Sequence, residues 1–294
     1  MIEQCELAYQ LNNHPIYTIS ELWSCLVSLF AIPSLIYFLT RKVMLMRFHG
    51  NLKVLLMAYF SSLLLLSTVT FLGYIYQITS SQASNSKCGL LLESKIFKLS
   101  HIPLLFMLTC SLLLPIGFSI ERSIALRMAK KYEHVRTFLG PILVFILVGI
   151  DFLAVKLDLE NETFSGPYLS FILVPSTSAT QFNIFFVFLL AVQIFNLICN
   201  CFLLKIQRRL NLRYLRRDCS LSLRYEMEEI SQSSKFTLIV SFTHALFAGW
   251  YVICALLTRK LGESFFNFPI NQVIIFVAAM LTNQMIRYYS YVRV

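Results

Sequence analysis

Seven apolar runs, each about as long as a bilayer is thick, constrain this chain more than any other feature. They are Ile19–Leu39, Leu52–Tyr76, Ile102–Ile120, Thr137–Val155, Phe182–Leu204, Phe236–Leu257 and Phe268–Ile286. A spanning helix needs about 20 mainly apolar residues. The runs are continuous rather than alternating, which selects helices over the strands of a membrane barrel. Composition agrees: 57% of the 294 residues are apolar and 14% are charged, against about 25% charged in soluble domains. Mean hydropathy is +0.69. These figures exclude a soluble globular enzyme, a disordered chain and a disulfide-knot scaffold. No basic segment precedes the first run, so it is expected to stay in the membrane as a signal anchor. The seventh run is the weakest, its centre Val273–Leu281 being flanked by Asn271, Gln272, Asn283 and Gln284. No repeat or linker divides the chain, and residues 1–294 read as one domain.

Orientation follows from the basic residues. The segment before the first run has none, and the fourth loop has only Lys156. The first loop carries Arg41, Lys42, Arg47 and Lys53. The third carries Arg122, Arg127, Lys130, Lys131 and Arg136, and the fifth is the most basic. Basic loops stay cytoplasmic. The expected fold is an all-α membrane protein, a seven-transmembrane helix bundle with its N-terminus outside and its C-terminus in the cytoplasm. The net charge of +10 then belongs to the membrane's inner face and does not imply nucleic acid.

A few residues stand out as functional candidates. Glu121 and Arg122 sit at the inner end of the third run, where an acid can hold an arginine until a partner takes it. The alternative is a charge pair that snorkels to headgroups. Arg208, Arg209, Arg213 and Arg216 lie on a helical extension of the fifth run, suited to docking a signalling protein or anionic lipid. Gln193, Asn196 and Asn200 share one helical stripe. They either hydrogen-bond between helices or line a ligand pocket. Glu21, Asp151 and His244 are ionisable groups in or near apolar runs and join Gln193 and Asn196 as pocket candidates.

Cys5 and Cys88 are the cysteines of the expected outer segments and could form a bridge in an oxidising compartment. Asn161-Glu-Thr163 is a glycosylation sequon on that side. No metal-ligand spacing, catalytic motif or phosphate loop is present, and neither cofactor nor enzymatic activity is expected.

Several stretches together resemble the nematode serpentine receptor class beta family of chemoreceptors. They are Cys5-Glu-Leu-Ala-Tyr-Gln, Phe48-His-Gly-Asn-Leu-Lys53, Leu114-Pro-Ile-Gly-Phe-Ser-Ile-Glu-Arg122 and Ser170-Phe-Ile-Leu-Val-Pro175. Ser220-Leu-Ser-Leu-Arg-Tyr225, Glu228-Glu-Ile-Ser231, Ser234-Lys-Phe-Thr-Leu-Ile-Val240 and Leu261-Gly-Glu-Ser-Phe-Phe266 complete the set. The resemblance implies a receptor for an external small-molecule or peptide cue that signals through a heterotrimeric G protein. It implies the plasma membrane of sensory cells, in cilia or dendrites. It also places Glu121 and Arg122 at the family's acid–arginine pair. The resemblance fades beyond Phe266, so a non-signalling variant or decayed receptor is the competing expectation. A transporter or channel ranks behind it, for want of an internal repeat or a charge ring.

Overall fold

A computed structural model describes residues 2–45, 48–84, 86–128, 138–172, 178–215 and 221–265. The seventh run and Arg216 lie outside these residues, as do the side chain of Arg213 and the whole of Cys219. Seven α-helices are formed among the described residues: α1 Ile2–Asn12, α2 Pro15–Tyr37, α3 Gly50–Ala83, α4 Ser94–Arg127, α5 Leu139–Asp158, α6 Ala179–Leu215 and α7 Leu221–Phe265. The first of these is not one of the seven apolar runs. A π-helical turn, Phe38–Val43, extends α2, and a 3-10 turn, Lys87–Leu90, joins α3 to α4.

Among the described residues, five stretches are long and apolar enough to cross a membrane: Tyr17–Val43, Gly50–Ala83, Ser94–Arg127, Leu139–Asp158 and Thr180–Leu210. The sixth apolar run lies within α7. The helices outlast the runs that foretold them. Hydropathy marks where hydrocarbon ends, whereas backbone hydrogen bonding carries a helix on into water. The fifth run therefore continues through Arg208 and Arg209, both exposed, to Leu215.

Burial runs opposite to that of a water-soluble protein. Exposed apolar side chains cover α2 (Trp23, Phe30), α5 (Phe145, Phe152) and α6 (Phe188, Phe195, Phe202). The interior holds Ser67, Thr109, Ser111, Gln193, Thr237, Ser241 and His244. A lipid solvent reverses the outside, and every interior polar group then needs a partner. Hydroxyls meet this need by donating to the carbonyl one turn back, as Ser67 does to Leu63, Thr70 to Leu66 and Thr237 to Ser233. That local bond lets them sit in hydrocarbon without a second helix.

Helix α4 is central. It packs on α3, α5, α6 and α7, and 67% of its most apolar window is buried, against 28% for α2, α5 and α6. Its Phe118 and Leu114 join Leu55, Tyr59 and Phe60 of α3 with Leu143 and Leu147 of α5 in the largest apolar cluster. At one end of the bundle α5 meets α3 at backbone distance. Gly140 donates its N–H to Asn51 Oδ1 at 3.0 Å, and a Cβ there would lie 2.4 Å from the Asn51 carbonyl oxygen.

The opposite end carries α1. A disulfide joins its Cys5 to Cys88, with Cα atoms 4.6 Å apart. Lys87 donates to Glu6 at 2.6 Å and sits 4.8 Å from the Tyr9 ring centre. That bond to Glu6 holds the Lys87 pKa above its ordinary value. We predict that Gly140→Ala, by forcing α5 off α3, destabilises the bundle by about 1–3 kcal/mol, the usual cost of overpacking. Thermal unfolding in lipid nanodiscs would measure it, and an unchanged midpoint would show that Asn51 can yield.

Candidate functional site

Two polar layers cross the interior, one toward each end. At the Gly140 end, the last turns of α4 bury Glu121 (0% exposed) and Arg122 (1%). The guanidinium is gripped on two sides. Nε and Nη2 donate to the two Glu121 carboxylate oxygens, the latter at 2.6 Å. Nη1 donates to Ser233 Oγ of α7 at 2.7 Å. A planar fork meeting a carboxylate is the strong form of an ion pair. Its burial requires that remaining donors also find acceptors, and Ser233 supplies one. One turn away, Glu229 of α7 accepts from the His49 backbone N–H at 2.7 Å, joining α7 to the start of α3. The acid-held arginine is one of the two arrangements the sequence allows, and the burial of Arg122 at 1% exposure favours it over a side chain that snorkels to headgroups.

One turn deeper, Ser119 donates to Asn196 Oδ1 at 2.6 Å. Asn196 donates to Ser241 Oγ at 3.0 Å, and Asn200 lies 2.9 Å from both Ser119 Oγ and Ser241 Oγ. Gln193 donates to the Leu112 carbonyl at 2.6 Å. The stripe of α6 thus ties α4 to α7, with Gln193 Oε1 left without a partner among the described residues. His244 also faces inward, its Nε2 2.9 Å from the Tyr59 hydroxyl. Sequence reasoning missed Ser233, Ser241 and Tyr59. A signal existed for α7: Ser233, Thr237, Ser241 and His244 repeat at helical spacing and are all buried.

Toward the disulfide, Glu21 is buried and accepts from Gln77 Nε2 at 2.6 Å. The same amide nitrogen reaches Tyr17 at 2.6 Å, and Ser170 donates to Gln77 Oε1 at 3.0 Å. Tyr17, Gln77, Asn12 and Ser81 line a small cavity beneath α1. The segment after α5 folds down over the bundle. Tyr168 pairs with Leu92 through both backbone bonds, and the Phe97 ring stacks between Tyr168 (3.8 Å) and His101 (4.7 Å). Burial raises the Tyr168 pKa, with Glu162 adding to the effect. Asn161 is exposed in the turn after α5. Asp151 is fully buried against α4, and its oxygens have no hydrogen-bond partner among the described residues. The neighbouring Thr109 hydroxyl is committed to the Leu105 carbonyl. Among the described residues no hydrogen bond links Asp151 to Glu21, Gln193, Asn196 or His244.

An apolar-coated helical bundle with a polar interior and a buried acid–arginine pair is a polytopic membrane protein built like a serpentine receptor. Comparison with known proteins narrows the class. Residues 13–248 match the family model described as serpentine type 7TM GPCR chemoreceptor Srb. Serpentine receptor class beta-3 of Caenorhabditis elegans is 52% identical over 267 residues, 91% of this chain and 77% of that relative. Serpentine receptor class beta-5 is 48% identical over 268 residues (91% and 78%), and class beta-1 is 43% identical over 271 (92% and 80%), both from the same nematode. The chain belongs to the serpentine receptor class beta family of chemoreceptors.

We predict that Tyr59→Phe destabilises the bundle by about 1–3 kcal/mol, because His244 is left without its partner in a dry interior. Adding His244→Phe should recover most of the loss, since removing both partners leaves no orphan. A double-mutant cycle on thermal midpoints checks this; additive losses would mean the pair is not coupled.

Proposed function

We propose that this chain detects an external chemical cue and transmits it to a heterotrimeric G protein. The N-terminus faces outside and the Arg122 end faces the cytoplasm, as the basic loops indicate. The plasma membrane of sensory cells is the expected location. The observation that carries the reading is the grip on Arg122. A cation held by one acid and one α7 hydroxyl inside a three-helix junction is a bistable element. If α7 moves away from α4, the Ser233 bond breaks and the guanidinium faces a cleft open to a partner. The cue drives this only if it binds the open arrangement more tightly than the closed one.

Arg208 and Arg209, exposed on the extension of α6, flank the same end and fit either an acidic face of the G protein or anionic lipid. Arg213 and Arg216 are proposed to extend that surface. Coupling is by binding alone, with no cofactor and no reaction. Glu21, Asp151 and Asp158 are among the buried acids that a cue could meet. Gln193, Asn196 and His244 are engaged between helices and act in positioning α6 and α7.

Two substitutions separate this reading from a merely structural pair. Arg122→Ala should abolish cue-evoked nucleotide exchange, normalised to surface-delivered protein; a normal response would remove Arg122 from coupling. Ser233→Ala deletes one bond that favours the closed arrangement, worth about 1 kcal/mol, and should raise cue-independent exchange roughly fivefold. Unchanged or lowered basal exchange would mean that the bond is not a latch.

A further inference from the structure

Toward one end of α4, α5 and α6 lie buried groups that have no hydrogen-bond partner among the described residues. Leu105 of α4, Val155 of α5 and Phe182 of α6 pack in one apolar cluster with Phe186 and Val252. One turn farther along each chain toward the disulfide lie His101, Asp158 and Ser178, at helical spacings of four, three and four residues from those anchors. All three are buried, at 2%, 4% and 5% exposure. His101 Nε2, both Asp158 carboxylate oxygens and Ser178 Oγ have no hydrogen-bond partner among the described residues. The His101 ring centre is 6.0 Å from that of Phe182, so α4 and α6 do meet there.

The polarity of these groups is consistent. His101 Nδ1 lies 2.9 Å from the Phe171 carbonyl oxygen. In a neutral imidazole that contact fixes the proton on Nδ1 and leaves Nε2 an acceptor. The Asp158 oxygens and the serine oxygen also accept. Glu162, close enough to influence His101, adds negative charge, whereas Lys156 of the same helix is exposed. Below the acceptors, Phe182 and Phe186 have ring centres 5.2 Å apart, a surface suited to an alkyl group or to a cation above a ring face. No group of three His, Cys, Asp or Glu among the described residues could hold a metal ion. His101 Nε2 and the Asp158 oxygens can only accept, and the Ser178 hydroxyl is the one donor among the three. Lys98, one turn from His101, is drawn over the Phe164 ring. Acceptors in excess, negative charge and an aromatic floor suit a cation that carries its own N–H donors and an apolar body.

We propose that Asp158, His101 and Ser178 form a subsite for a small organic ammonium, which is the charged end of the cue. Asp158 pairs with the ammonium, His101 Nε2 and Ser178 Oγ accept its remaining hydrogens, and the body of the cue lies on Phe182 and Phe186. Asp151, seven residues back on α5 and also unpartnered, lies deeper on the same face. The inference rests on the receptor reading above and names the chemistry of its cue.

The test uses the full chain in lipid nanodiscs at neutral pH, with thermal unfolding as the readout. The probes are ethylammonium and phenethylammonium, with neutral 2-phenylethanol and anionic phenylacetate as controls. Both ammonium probes should raise the midpoint and the two controls should not. Asp158→Asn should weaken ammonium binding about tenfold or more, as loss of a charge-assisted bond implies. Ser178→Ala should weaken it about threefold, and the exposed Lys156→Gln should leave it unchanged. If Asp158→Asn does not fold, Asp158→Glu and Ser178→Ala carry the comparison. No shift with either ammonium overturns the subsite, as does an equal shift in the Asp158 and Ser178 variants. A shift unaccompanied by nucleotide exchange with any ammonium or other cue keeps the subsite and removes the receptor reading. Exchange evoked by a neutral or anionic cue, without an ammonium shift, keeps the receptor reading and removes the subsite.

Discussion

A guanidinium inside a lipid-facing bundle costs several kcal/mol unless it is neutralised and its donors are used. Arg122 is neutralised by the adjacent Glu121 and held to α7 by Ser233. The surrounding architecture follows from that need. Helices α6 and α7 must run on beyond the hydrocarbon so that the pair is enclosed, and α4 must sit at the centre so that both can reach it. The layer one turn deeper, where Ser119, Asn196, Asn200 and Ser241 share protons, fixes the register in which α4, α6 and α7 meet. A polar layer between helices specifies alignment more sharply than apolar packing, because a shift of one residue leaves several groups unpaired.

The two ends of the bundle differ in kind. Around Arg122 charge, hydroxyl and amide groups pair across helices, although Gln207 Nε2, Gln193 Oε1 and His244 Nδ1 have no partner among the described residues. The disulfide end is strapped by Cys5–Cys88 and by the Leu92–Tyr168 bridge, yet it leaves acceptors open at Asp158, His101 and Ser178. A buried ion pair held across two helices suits a conformational latch. An end held in shape by covalent and backbone links, with unsatisfied groups facing inward, suits recognition.

Much of the fold was legible because the bilayer is a simple selector. Six of the apolar runs fall on α2 to α7, while the seventh lies beyond the described residues. Hydropathy reports the solvent and not the hydrogen-bond ladder, so α3 and α4 overrun their apolar runs. The extension of α6 through Arg208 and Arg209 was legible, because its apolar and basic residues keep helical spacing. The N-terminal helix escaped notice since its eleven residues show little amphipathic bias and it is held by tertiary contacts and a disulfide. Of the candidate site, Glu121 and Arg122 were visible as a pair, and the amide stripe of α6 as a stripe. Ser233 and Tyr59 were not, because a serine or tyrosine in a helix carries no mark of what it will face.

The sequence alone determined that the chain is helical, lives in a membrane and gathers most of its basic residues in alternate loops. Those properties follow from length, hydropathy and loop charge, which act residue by residue against a uniform solvent. Its similarity to known receptors likewise resides in the order of its residues. Only the tertiary structure decided that Arg122 is buried, that Asn196 and Asn200 bond to α4 and α7, and that Asp158, His101 and Ser178 are buried without partners among the described residues. Hydrogen bonds depend on ångström distances between helices far apart in the chain, and no local pattern encodes which side chains will meet.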